Sequence, residues 1–114
     1  MNSAVIAAAQ DYRFEIAGPP VKSEKATIVK IRLVHVADGK AVPGAVIFQT
    51  RFDMGPDGMA NMTAPAKLAR SSDASVYQVE VEPQMGGNWA LNLSAKVQGE
   101  TQTVTGTVPV TIPK

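Results

Sequence analysis

The run Trp89-Ala90-Leu91-Asn92-Leu93-Ser94-Ala95-Lys96-Val97 decides the fold. Trp89, Leu91, Leu93, Ala95 and Val97 occupy alternate positions, and Asn92, Ser94 and Lys96 fall between them. Successive side chains of a strand point to opposite faces, so this pattern describes a strand with one dry face and one wet face. No segment of the chain shows a convincing 3.6-residue period.

Outward from that strand the same alternation repeats. Gly99-Glu100 turns into a last strand carrying Val104, Val108, Val110 and Ile112. Upstream, Pro83-Gln84-Met85-Gly86-Gly87-Asn88 makes a turn. Before it, Ser75 to Glu82 alternates Tyr77, Val79 and Val81 inward with Gln78, Glu80 and Glu82 outward. Arg70-Ser71-Ser72-Asp73 is turn chemistry, and Ala64 to Ala69 reads as a short edge strand interrupted by Pro65. A strand opened by Pro43-Gly44 runs from about Ala45 to Phe52, with Val46, Phe48 and Phe52 on one face. Lys25 to Val36 is the longest candidate, with Val29, Ile31 and Leu33 opposed by Lys30 and Arg32. Asp38-Gly39 after it is a hairpin signal. Tyr12, Phe14 and Ile16 form the first strand, stopped by Gly18-Pro19-Pro20 because proline gives no donor to a ladder.

Short strands at regular spacing, joined by Gly, Pro and Asp turns, predict an all-β fold: an immunoglobulin-like antiparallel β-sandwich of six to seven strands over residues 11–114. The chain has no cysteine, so an inter-sheet disulfide is excluded and Trp89 with its neighbours must hold the core by packing. Residues 1–10 stand apart from this domain. Ser3 to Gln10, with small residues at Ala7-Ala8-Ala9, reads as the remnant of an export signal or as a disordered N-terminus. The first reading predicts a periplasmic, exported protein.

Composition narrows the function. Eleven Lys plus Arg stand against ten Asp plus Glu, no basic stripe is present, and three Phe, two Tyr and one Trp give little to stack on bases, so nucleic acid is not an expected partner. No apolar run is long enough to span a bilayer, and a monomer is expected. An enzyme is not expected either. His35 is the single histidine, there is no Gly-x-Ser-x-Gly or glycine-rich phosphate loop, and Glu80 with Glu82 reads as a solvated strand face.

One stretch interrupts the strands. Arg51-Phe52-Asp53-Met54-Gly55-Pro56-Asp57-Gly58-Met59-Ala60-Asn61-Met62 holds three of the chain's five methionines. A calcium loop needs oxygen ligands at alternate positions, and Gly55 stands where one is required, so that reading fails. Thioethers instead select soft ions such as Cu(I) and Ag(I). A loop kept flexible by Gly55 and Gly58 and bent by Pro56 would fold Met54, Met59 and Met62 around one ion. Met85, in the turn before Trp89, is a further ligand candidate. His35 shares the parity of Val29, Ile31 and Leu33, and is expected to point coreward with a backbone carbonyl as its partner. Trp89 is expected to anchor the core. Methionine also fills cores and adaptable interaction surfaces. The competing class is therefore a non-metal interaction module that docks its apolar loop onto an efflux or membrane-bound partner.

Three runs resemble the YtkA-like/FixH-like domain family: Ile31-Arg32-Leu33-Val34-His35-Val36-Ala37-Asp38-Gly39-Lys40-Ala41-Val42-Pro43-Gly44-Ala45, Asp53-Met54-Gly55-Pro56-Asp57-Gly58-Met59, and Met85-Gly86-Gly87-Asn88-Trp89-Ala90-Leu91. The resemblance extends roughly from Tyr12 to Ile112. It implies a small immunoglobulin-like domain of exported or membrane-associated bacterial proteins that accompanies heavy-metal efflux. It further implies Cu(I) or Ag(I) as cargo, a periplasmic efflux adaptor as partner, and Met54, Met59 and Met85 as ligands with Met62 as a fourth. His35 has no counterpart in that ligand set.

Overall fold

A computed structural model describes residues 11–22 and 26–113; the expected signal remnant, residues 1–10, lies outside the described residues. Among the described residues there are ten strands: β1 (Tyr12–Ile16), β2 (Val21–Lys22), β3 (Thr27–His35), β4 (Lys40–Ala41), β5 (Val46–Met54), β6 (Met59–Ala64), β7 (Ala66–Ala69), β8 (Tyr77–Val81), β9 (Gly87–Lys96) and β10 (Val104–Ile112). The seven expected strands are β1, β3, β5, β7, β8, β9 and β10. The additions are the two-residue strands β2 and β4, and β6, which the methionine segment itself supplies.

The strands form two antiparallel sheets. One runs β1-β3-β8-β7, with β2 and β4 also paired to β3, and the other runs β10-β9-β5-β6. Their inner faces make one core in which Val29, Ile31, Leu33, Val79 and Val81 meet Phe52, Met54, Trp89, Leu91, Leu93, Val104 and Val108. This is a β-sandwich, and its alternation follows the pleat on both sides. Pro65 lies between β6 and β7, where the chain crosses from one sheet to the other and proline costs no ladder bond. Thr50 Oγ1 donates to Ala66 O across that corner, 2.9 Å.

Trp89 is fully buried and stacks on Phe52, with ring centroids 4.7 Å apart and planes 5° from parallel. Its Nε1 donates to Met85 O, 3.2 Å, so the anchor also fixes the turn before β9. At Gly106 on β10 a Cβ would lie 2.8 Å from Phe14 Cδ2, so the glycine admits the β1 ring onto β10.

One expected face is corrected. Val46, Phe48 and Phe52 do not share it: Ile47 and Phe52 are buried, whereas Val46 and Phe48 are 62% and 53% exposed. The register with β9 slips between Ile47 and Gln49, and this β-bulge at Phe48 reverses the inward parity from odd to even positions. Met54 inherits the even, inward parity.

Candidate metal centre

The methionine segment is an ordered hairpin rather than the flexible loop its glycines suggest. β5 ends at Met54, a single 3-10 turn covers Gly55–Asp57, and β6 starts at Met59. Pro56 fits the start of that turn, where no donor is needed. Gly58 closes it with φ 77°, its N–H donating to Gly55 O, 2.8 Å.

Both aspartates are engaged in holding it. Asp53 is buried, accepting from Gly55 N–H at 2.8 Å, Arg51 Nε at 3.0 Å and Asn92 Nδ2 at 3.0 Å. Asp57 accepts from the Asn88 N–H at 2.9 Å and from Asn88 Nδ2 at 3.0 Å, clamping the turn onto the start of β9. Among the described residues no group of three or more His, Asp or Glu is arranged to hold a metal ion. The oxygen atoms of this segment thus build the hairpin, and sulfur is its unspent chemistry.

The thioethers divide into two kinds. Met54 is 1% exposed, facing the core, and its Cε lies 2.6 Å from where a Cβ on Gly87 would stand. Met59 is its ladder partner, and residues directly opposite in an antiparallel pair put their side chains on one face. Yet Met59 is 39% exposed and Met62 37%. The pairing explains why. Phe52 faces Ala64 and Asp53 faces Thr63, but Met54 faces Met59, so residues 60–62 bulge from the edge strand. Strict alternation would send Met59 and Met62 to opposite faces. The bulge breaks it, and both line one shallow depression with Gly58, Ala60 and Asn61. Arg51 Nη2 donates to Ala60 O, 2.9 Å, and pins the bulge.

Met85 lies at the same end of the sandwich but opens elsewhere. It is 46% exposed and lines a cleft with Pro20, Thr27, Pro83 and Ile112. The structure therefore puts Met59 and Met62 on one depression, buries the Met54 side chain in the core, and opens Met85 on a separate cleft.

His35 is at the other end. β3 starts at Thr27, beside Val81 and the Met85 turn, and finishes at His35, roughly 26 Å further along at strand rise. Its Nδ1 is 3.2 Å from Asp38 Oδ1 and its ring is 5.3 Å from that of Tyr12, so a carboxylate replaces the expected carbonyl partner. Tyr12 Oη donates to Glu100 Oε2 at 2.7 Å, and that bond, with burial, pushes the phenol up to about 12. The Lys40 N–H and then His35 hold the Asp38 carboxyl below its ordinary range.

The clamp formed by Asp57, Asn88 and Gly87 is the part that residue-type reasoning missed. Its signal was the Gly86-Gly87 pair before Asn88, since glycine inside a strand often marks close approach of another segment.

Among known proteins, no curated protein and no solved structure matches the chain. The family model described as YtkA-like matches residues 6–94, which include β1 through most of β9 and the whole methionine hairpin. A match over that share of the sequence places it: the chain belongs to the YtkA-like family.

Proposed function

We propose that this protein is an exported soft-metal carrier that takes up Cu(I) or Ag(I) through Met59 and Met62 and passes the ion to an efflux partner. The observation that carries this reading is the pair of exposed thioethers on one depression at the bulged edge of β6. Thioether sulfur is neutral at every pH and prefers soft monovalent ions to Zn(II), Mg(II) or Ca(II). Met54 is the ladder partner of Met59 but is buried in the core, so in this proposal it supports the hairpin and is outside the primary pair. Met85, on its separate cleft, is outside the primary pair in this proposal. A site of two surface thioethers exchanges its ion quickly, which suits transfer more than storage.

Calorimetric titration of Ag(I) into the wild type and into Met59→Leu/Met62→Leu tests this. The expected result is saturation near one equivalent for the wild type and loss of that heat in the variant, with unchanged melting. An identical isotherm for both proteins removes the ligand assignment. If neither protein binds the ion, the hairpin is better read as an apolar docking element for a membrane-bound partner.

A further inference from the structure

Thioethers have a second chemistry besides ligation. Hydrogen peroxide takes methionine to methionine sulfoxide: the sulfur attacks one peroxide oxygen, an S–O bond forms, the O–O bond breaks and the other oxygen leaves as water with both protons. Sulfur loses two electrons and the peroxide gains them. Exposure governs which methionines react, and the product is a polar oxygen donor in place of a soft sulfur.

The hairpin sorts its methionines sharply by that criterion. Met59 and Met62 are open to solvent on the bulge, and Met85 is open on its own cleft, whereas Met54 is sealed against Gly87. Oxidation of the open pair adds oxygen to side chains that lie outside the buried core cluster. The elements that hold the hairpin are the Asp57–Asn88 clamp, the Asp53 hydrogen bonds and the buried Met54, and none of them includes the sulfur of Met59 or Met62.

We infer that Met59 and Met62 form an oxidation site that peroxides convert to sulfoxide with the sandwich intact, switching off soft-metal uptake at the bulge. The switch rests on the metal reading above; the selectivity of oxidation does not. A sulfoxide reductase would restore the thioethers, so the switch is reversible.

The experiment is a timed exposure of the folded protein to hydrogen peroxide, with and without saturating Ag(I). It is read by fragmentation mass spectrometry of the peptide 52–67 and of the peptide carrying Met85. The expected result without Ag(I) is oxidation of Met59, Met62 and Met85 at comparable rates, with Met54 slower by roughly tenfold or more. Protein oxidised at both Met59 and Met62 should keep its cooperative melt and lose Ag(I) binding. With Ag(I), Met59 and Met62 should be protected and Met85 should not. Oxidation of Met54 in step with Met59, or loss of cooperative melting once Met59 and Met62 are oxidised, overturns the inference. So does retained Ag(I) binding by the oxidised form. Failure of the metal reading has a different signature: oxidation keeps its order, but Ag(I) slows Met59 and Met62 no more than it slows Met85.

Discussion

Met54 and Met59 face each other across the β5–β6 ladder, yet one is sealed in the core and the other is open to solvent. That asymmetry divides the work of the hairpin. Met54 fixes its position by packing, and Met59 presents a sulfur from the fixed position. The two roles separate by substitution.

Met54→Ala removes a fully buried side chain and leaves a cavity beside Gly87, costing about 2–5 kcal/mol. Met54→Leu nearly conserves volume and should cost less than about 1.5 kcal/mol. Urea denaturation of the three proteins measures both. Met59→Leu, at an exposed position, should leave the midpoint within about 0.5 kcal/mol of wild type.

Gly87 has φ 145°, and a Cβ there would sit 2.6 Å from Met54 Cε and 2.8 Å from Asp57 Oδ2. Gly87→Ala therefore strains the backbone and pushes on both the core methionine and the clamp. The expected loss is about 2–4 kcal/mol, with thermal unfolding as the check. A wild-type melt from this variant would mean that Met54 is not packed against Gly87.

Asp57→Ala should cost about 1 kcal/mol by leaving the Asn88 N–H to water. Its more telling effect is local. Amide exchange at Asn88 and across the 3-10 turn should accelerate, whereas that of β3 and β8 stays put.

The far end of the sandwich predicts a pH dependence. The Tyr12 phenol, raised from 10 to about 12 by the Glu100 carboxylate, holds its proton more tightly folded than unfolded. Stability from this pair is complete below pH 10 and falls as pH rises from 10 to about 12, because only the unfolded chain releases the proton there. Tyr12→Phe should flatten that alkaline decline. Asp38 acts in the opposite sense: its lowered pKa contributes stability above the ordinary carboxylate value and loses it in acid. Melting temperatures from pH 3 to 12 on wild type, Tyr12→Phe and Asp38→Asn resolve the two limbs.

The sandwich was legible because burial in it is one-sided: β3, β8, β9 and β10 each alternate as their sequences do. Where burial gives no contrast, the sequence carries no face signal. Ala45-Val46-Ile47-Phe48 is apolar throughout, so nothing in it announces the bulge that turns Val46 and Phe48 outward. β6 is an edge strand exposed through Thr63, which leaves no burial pattern in its sequence and made the segment read as a loop. The burial of Met54 does follow from parity, since it sits two residues beyond Phe52 on the same face. Of the candidate ligands, Met59 and Met62 come together through a three-residue bulge set by tertiary pairing, which no spacing rule for a regular strand contains.

Methionine methyl resonances test capture of a soft ion by Met59 and Met62 most directly. During an Ag(I) titration the Met59 and Met62 methyls should shift together and saturate near one equivalent. Met54 should follow with a smaller shift as the ladder partner of Met59, and Met85 should not move. Methyls of Met59 and Met62 that remain unshifted at excess Ag(I) would contradict it.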